Sequence, residues 1–332
     1  MKARVTVISL AYNVGPYIAQ AIAGVVGQKA DFGIRLIIAE DNSTDGTLAA
    51  ARQWQARYPG IITVLHNGHN LGLQANFMSA YSHCDTEYVA ICDGDDYWFD
   101  RHKLQTMVDY MDAHSECAVA FHRVINYYEY DRSKSLSNGG QRSITTVEDL
   151  ARSNYITNSS VIYRRDNLPV LPGWMAEIKS CDYAMHILNA CHGNIRYFSR
   201  PMGIYRQHGS GIWSLRDKTD REKKLGMALD VRERLIDHLP PGQDAVREII
   251  RDAHTRFALA EVAFSLAHGL DDAAARLTRR VMAYRPGWTQ DDFAAALARA
   301  TASLRPTART RLTAMLKGAR AAVSRCIPLP RP

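Results

Sequence analysis

The sequence has no apolar run approaching the ~18 residues that a membrane-spanning helix needs, so no transmembrane helix is expected. It has no C-x-x-C pair. The six cysteines, Cys84, Cys92, Cys117, Cys181, Cys191 and Cys326, are scattered, which excludes a zinc framework and a redox motif. Several lie in apolar runs and read as core thiols, a pattern that suits a reducing cytosol better than secretion. The opening Met1-Lys2-Ala3-Arg4 leads into strand-like sequence with no signal-peptide cleavage pattern. The expectation is a cytoplasmic protein, with peripheral contact at the inner membrane face as a further option.

The 332 residues suffice for one large domain and a smaller one, with ordinary apolar and charged content. The net charge is +7, and its distribution is uneven. Acidic clusters lie in the N-terminal part and Arg crowds the last quarter, so a basic tail or face is expected to meet an anionic partner.

Val5 to Leu10 is rich in β-branched residues and reads as a strand, followed by a helix through Ile18, Ile22, Val25 and Val26. Ile34 to Ala39, Ile61 to Leu65 and Tyr88 to Cys92 read as three more strands. Helices over Thr47–Tyr58 and Leu73–Ser82 separate them. Strands alternating with helices predict a mostly parallel, Rossmann-like sheet with helices on both faces. The polar loops after the four strands then share one edge. That places Tyr12, Asn13, Asp41, Asn70 and Asp93 to Asp96 in one crevice, where open α/β sheets receive their ligands.

The fourth strand ends in Asp93-Gly94-Asp95-Asp96, three carboxylates within four residues. Such crowding is electrostatically costly, and a hard cation with oxygen ligands removes the cost. The plainer reading is a solvated acidic turn. Beyond it, Arg101 to His114 reads as a helix and Cys117 to Tyr128 contains a strand. Asp131 to Ser143 reads as a mobile loop. Thr146 to Asp149 reads as a capped helix start, with Asp replacing the usual Glu or Gln. Ser159 to Tyr163 reads as a strand, Cys181 to Leu188 as a helix, and Ile195–Phe198 and Gly203–Arg206 as two short strands. From about residue 216, strand signals vanish and Ala, Leu and Arg recur with helical spacing, so residues 216–332 read as a helical appendage to a domain over residues 1–215.

Several of these pieces together resemble a family 2 glycosyltransferase of GT-A fold, over roughly residues 4–215. They are Val5 to Asn13, Glu40 to Thr47, Asn70 with Gly72, Asp93 to Trp98 (the D-x-D region), Asp182 near a helix start, and Tyr205-Arg206-Gln207-His208. The resemblance implies a role for each. Asp41 would meet the nucleotide base, in a pocket lined by Ala11, Tyr12 and Asn13, with Asn70 nearby. Asp93 would lie near the ribose. Asp95 and His208 would hold Mn²⁺ or Mg²⁺ on the donor diphosphate, and Arg206 is a weaker phosphate candidate. Asp182 would be the catalytic base. The position before it, often Glu in the family, is Cys181. The Q-x-x-R-W motif of processive synthases is absent, which points to an enzyme adding one sugar or few.

The chemistry needs such residues. Glycosyl transfer makes an oxocarbenium-like transition state while negative charge grows on the leaving diphosphate. A divalent cation stabilises that charge, and a His ligand tilts the choice toward Mn²⁺. A single carboxylate base opposite the leaving group suffices for inversion. The expected donor is a nucleoside-diphosphate sugar, UDP-sugar first. The expected acceptor is a glycan or lipid-linked hydroxyl in cell-surface polysaccharide synthesis, and no nucleic-acid partner is expected. Arg305 to Arg325 alternates basic and apolar residues and could lie on anionic lipid as an amphipathic helix; the competing reading is a solvated helix packed on its neighbour. Two other functions compete. A sugar nucleotidyltransferase would show a Gly- and Arg-rich loop where Ala11 to Pro16 stands. A non-catalytic module would have no need of Asp93, Asp95, Asp182 and His208 together.

Overall fold

The computed structural model describes residues 1–209 and 218–301. These fall into two compact units. One comprises residues 1–209, 218–227 and 239–243; the other comprises residues 228–238 and 244–301.

The first unit begins with β1 (Ala3–Ala11), α1 (Gly15–Val26), β2 (Gly33–Glu40), α2 (Thr47–Arg57), β3 (Ile62–His66), α3 (Leu73–Ser82) and β4 (Tyr88–Ile91). It continues with β5 (Tyr97–Trp98), α4 (Lys103–Ala113), β6 (Cys117–Tyr128), β7 (Lys134–Leu136), β8 (Ile144–Thr145), α5 (Val147–Arg152), β9 (Ile162–Arg164), α6 (Asp182–Ala190) and β10 (Asn194–Gln207). The main strand order is β3-β2-β1-β4-β9-β6-β10-β5. β1 pairs in parallel with both β2 and β4, and β2 pairs in parallel with β3, as the alternation of strands and helices predicts. β9 enters antiparallel between β4 and β6, so the sheet is mixed in its second half.

The parallel half is buried on both faces. Val5, Val7, Leu36, Ile38, Val64 and Ala90 pack with Ile18 and Ile22 of α1 on one side. This is why its strands read as near-continuous apolar runs. Gly94 begins the turn beyond β4. A Cβ there would sit 2.7 Å from the Leu10 carbonyl oxygen, so only glycine lets the acidic loop lie against β1.

Three features differ from the sequence expectation. The stretch read as two short strands is one, β10, paired in parallel with β6 from Asn194 to Gln207. Its register slips around Pro201: β10 advances from Phe198 to Gly203 while β6 advances only from His122 to Val124. Extra residues in one strand disturb the alternation by which a strand is recognised. Within the segment read as a loop, Lys134 to Leu136 pairs with β6. Ser159 and Ser160 lie in a 3-10 turn, Asn158–Ser160, and the strand starts at Ile162. The expected cap at Thr146 is present: Asp149 accepts from the Thr146 amide at 3.1 Å.

The second unit contains the end of α7 (Lys218–His238), with α8 (Asp244–Ala267), α9 (Asp271–Tyr284) and α10 (Gln290–Thr301). Gly269, at φ +69°, turns the chain between α8 and α9. Leu259, Val262, Val281, Phe293 and Leu297 are buried. Arg280 bonds Glu233 at 2.6 Å, and Glu233 also meets the buried His254 at 2.8 Å. Among the described residues no helix is long and apolar enough to cross a membrane. The basic segment 305–325 lies outside the described residues.

Candidate active site

The loops after β1 and β2 are stitched together. Asn13 adopts φ +53° and Asn42 φ +60°, left-handed conformations that Asn tolerates better than most residues. The Asn13 amide donates to Ser43 Oγ at 3.0 Å, and its own side-chain oxygen accepts from the Thr44 amide at 2.9 Å. The Asp41 amide donates to the Ala11 carbonyl at 3.0 Å. Tyr12 is half exposed above this seam, while Ala11 is buried.

Asp41 is 2% exposed, and its carboxylate faces inward. Oδ1 accepts from Asn67 Nδ2 at 2.9 Å and from the Leu71 amide at 2.8 Å. Oδ2 accepts from the Gly72 amide at 2.9 Å. Asn70 Oδ1 accepts from the same Gly72 amide, also at 2.9 Å. Asp41 and Asn70 therefore shape the approach to α3, and the Asp41 carboxylate holds three internal donors.

The acidic stretch forms the centre. Asp93 Oδ2 accepts from Asn158 Nδ2 at 3.0 Å and from Ser159 Oγ at 3.3 Å. Asp96 is buried; Ser159 Oγ meets its Oδ2, and the Arg206 amide donates to its Oδ1 at 2.8 Å. Asp95 Oδ2 lies 2.9 Å from Nε2 of the buried His208. The His208 ring rests against Tyr17 of α1, with centroids 5.0 Å apart. Loss of water and the neighbouring Asp95 charge push Asp93 up to about 7, against the opposing pull of Asn158 and Ser159. The same two causes, burial first, raise Asp96 well above the usual carboxylate range.

Arg206 is fully engaged. Its Nε donates to the Asp95 carbonyl at 2.8 Å and its Nη2 to Gln20 at 2.9 Å, and its guanidinium lies over Tyr17 at 4.6 Å. It braces the backbone of the acidic loop. No Arg or Lys forms an ion pair with Asp93, Asp95 or Asp96 among the described residues. A cavity of about 310 Å³ opens beside Arg206, lined by Gln20, Tyr97, Tyr127, Lys134 and Ile204.

Asp182 opens α6, and its Oδ1 accepts from Ser180 Oγ at 2.7 Å. Its charge reaches the acidic stretch: Asp182 helps to raise Asp93, and Tyr205 is raised by burial and then by Asp96, Asp95, Asp93 and Asp182 together. The structure thus brings Asp93, Asp95, Asp182, Arg206 and His208 into one region. Asp41, Asn70 and the Ala11–Asn13 turn line the same sheet edge farther along.

Among the described residues, no three His, Cys, Asp or Glu side chains converge as a ready-made metal shell. Asp95 with His208 supplies one carboxylate and one imidazole, a mixed donor set that suits a borderline cation such as Mn²⁺. The uncompensated acid around it is the electrostatic setting that such a cation relieves.

Sequence reasoning missed Asn158, Ser159 and the burial of Asp96. It had no signal for the first two, because Ser159-Ser160 reads as the start of a strand. For Asp96, the following Tyr97-Trp98 pair, which turns inward, was the available hint.

A mostly parallel sheet with an acidic loop at its carboxyl edge, joined there by a returning strand and a helix-borne carboxylate, defines a GT-A-type fold. The profile for Glycosyl transferase family 2 matches residues 6–170. Residues 6–170 thus form a Glycosyl transferase family 2 domain. It is 35% identical over 223 residues to an uncharacterized protein of Mycobacterium tuberculosis, covering 66% of this chain and 62% of that protein. The match therefore spans less than two thirds of that relative's length. Two solved structures share the fold. S. aureus TarS 1–349 in complex with UDP-GlcNAc has TM-score 0.62 at 16% identity, over 96% of this chain and 92% of that chain. The mannosyltransferase PcManGT from Pyrobaculum calidifontis, in complex with GDP-Man and Mn²⁺, has TM-score 0.57 at 19% identity, over 97% and 87%.

Proposed function

We propose that this chain transfers a sugar from a nucleoside-diphosphate sugar to an acceptor hydroxyl, with inversion and with the help of a divalent cation. The observation that carries the reading is the meeting of Asp95 and His208, 2.9 Å apart, beside Asp93 and within the electrostatic reach of Asp182. The family 2 domain over residues 6–170 supports the same reading.

In this proposal the turn Ala11 to Asn13, with Asp41 and Asn70 behind it, forms the wall for the nucleotide base. Asp41 acts there through the Leu71 and Gly72 backbone that it holds. Asp93 faces the ribose, and Asp95 and His208 are the residues that would hold the cation. When bound, Mn²⁺ or Mg²⁺ supplies Lewis-acid stabilisation of the departing diphosphate. Arg206 keeps the acidic loop in place from behind. Asp182 accepts the proton of the attacking hydroxyl. The Ser180 hydroxyl, donating to Oδ1, fixes the orientation of that carboxylate. A UDP-sugar is the first donor to try, since one structural relative is complexed with UDP-GlcNAc; another, complexed with GDP-Man and Mn²⁺, makes GDP the second choice. The acceptor is assigned to glycan or lipid-linked hydroxyls of cell-surface polysaccharide, and the site of action to the cytoplasm.

The test is thermal unfolding with UDP, GDP, dTDP and CMP, each with and without Mn²⁺. A ligand at ~100 Kd stabilises by about 2.7 kcal/mol. One nucleoside diphosphate should raise the melting temperature, and more so with Mn²⁺. No response to any of them, in either condition, would overturn the donor site.

A further inference from the structure

We propose that Ser159 is a positioning residue of the carboxylate site, clamping Asp93 and Asp96 from across the crevice so that one Asp93 oxygen is presented to the donor. The inference rests on the reading of Asp93 given above and extends it to a residue outside the D-x-D region.

Ser159 is 3% exposed, and both its hydroxyl and its carbonyl are used on the acidic stretch or the strand after it. Its Oγ meets Asp96 Oδ2, lies 3.3 Å from Asp93 Oδ2 and accepts from the Asp93 amide at 3.4 Å. Its carbonyl accepts from Trp98 Nε1 at 2.7 Å. One residue thus touches Asp93, Asp96 and Trp98, which lie 61 to 66 positions away in sequence. A hydroxyl suits the place: its one hydrogen is shared between the two carboxylates while its oxygen accepts an amide hydrogen.

The clamp is itself held. The turn Asn158–Ser160 closes with the Ser160 amide and hydroxyl on the Thr157 carbonyl, at 2.9 and 2.6 Å. Immediately after it, the Val161 carbonyl accepts from the Ile91 amide at 3.3 Å, fixing the turn to the end of β4. Trp98 is backed by Lys103, whose Nζ lies 3.4 Å from the centre of its ring. Asn158 adds a second donor to Asp93, again on Oδ2. Both bonds land on one oxygen, and among the described residues no hydrogen bond reaches Oδ1. A carboxylate held by one oxygen has its other in a defined direction, and the Asp93 Oδ1 direction is the one left to a ligand.

The test uses the full chain with Ser159→Ala and Ser159→Thr. A crystal structure of ligand-free Ser159→Ala should show the Asp93 and Asp96 side chains turned from their present positions; unmoved carboxylates would overturn the inference whether or not nucleotide binds. In titrations with the nucleoside diphosphate that binds the parent, with Mn²⁺, Ser159→Ala should weaken affinity by about tenfold, the scale of one hydrogen bond to a charged group. Ser159→Thr, which keeps the hydroxyl, should restore it. Equal affinity in the Ala variant and the parent, or equal loss in Ala and Thr, would also overturn it. Should a Ser159 variant not fold, Asn158→Ala removes the partner bond on the same oxygen and should weaken binding in the same direction; unchanged binding there counts against the clamp. A parent chain that binds no nucleotide would sink the donor-site reading, and the ligand-free structure would still decide the clamp.

Discussion

Nε2 of His208 lies 2.9 Å from Oδ2 of Asp95, although the two residues are 113 positions apart in sequence. Asp95 sits on the loop after β4, and His208 directly follows β10. The contact exists because β10 is continuous and delivers its last residues to the same sheet edge as β4. An imidazole against a carboxylate, with a second acid at Asp93, is an arrangement that gains from a cation.

Replacing Asp95 with Asn, or His208 with Ala, should therefore weaken Mn²⁺-dependent nucleotide binding. Loss of an outer partner of a metal ligand alone costs about 10–100-fold, so a direct ligand should cost at least that. Chelation with EDTA should bring the parent down to the level of the variants. Calorimetric titration with and without Mn²⁺ reads the difference, and unaltered metal dependence in both variants would remove the pair from that role.

Asp182→Asn should lower the transfer rate by about 10²–10⁴, the usual contribution of a general base. Donor affinity should stay within a few-fold of the parent, since the residue lies on α6 and not on the nucleotide wall. Single-turnover kinetics with the donor found in the thermal screen separates the two quantities. Normal turnover would exclude Asp182 as base.

Asp41→Ala should act mainly through stability. It strips the acceptor from the Asn67 side chain and from the Leu71 and Gly72 amides. The donors are partly exposed, so each orphaned one costs at most about 1–3 kcal/mol. A lower melting temperature and weaker nucleotide binding should appear together. Loss of binding at an unchanged melting temperature would mean instead that the carboxylate meets the base directly.

Lys103 gives a pH signature. It is fully buried with no hydrogen-bond partner for Nζ, and desolvation lowers it from 10.5 to about 7. Between about pH 7 and 10.5 the unfolded chain binds more protons at this residue than the folded one. Its contribution to stability therefore rises with pH across that window, by on the order of 5 kcal/mol if the whole shift is expressed. Denaturant unfolding of Lys103→Met, compared with the parent at several pH values, should show the variant's advantage shrinking as pH rises. A constant difference would mean that Lys103 is charged in the fold.

The first half of the sheet was legible in the sequence. Residues such as Val5 to Leu10 and Tyr88 to Cys92 lie in strands buried on both faces, so their apolar runs are unmistakable, and helix-period segments separate them. The shared edge followed from that alternation, and with it the neighbourhood of Asn13, Asp41 and Asp93. The second half was less legible for stated reasons. β5 and β8 have two residues each, too few for any period to show. β10 looked like two pieces because its pairing with β6 slips around Pro201. Ser159 and Asn158 act through a 3-10 turn whose three residues carry no pattern at all. Burial of Lys103 was invisible, and that of Asp96 was signalled only by the aromatic pair after it, because both types ordinarily face water and only the fold overrules that expectation.

The slip in β10 restricts which insertions and deletions this chain can accept. Five steps along β10, from Phe198 to Gly203, match two along β6, from His122 to Val124, an excess of an odd number of residues. An odd excess exchanges the two faces of everything downstream. Downstream of it, Arg206 and His208 both lie against Tyr17, and Nε2 of His208 reaches Asp95. Loss of a single residue between Phe198 and Gly203 would undo the exchange, turning His208 away from Asp95 without altering either of them. Loss of two would leave the alternation intact. Length variation in that short segment should therefore occur in pairs.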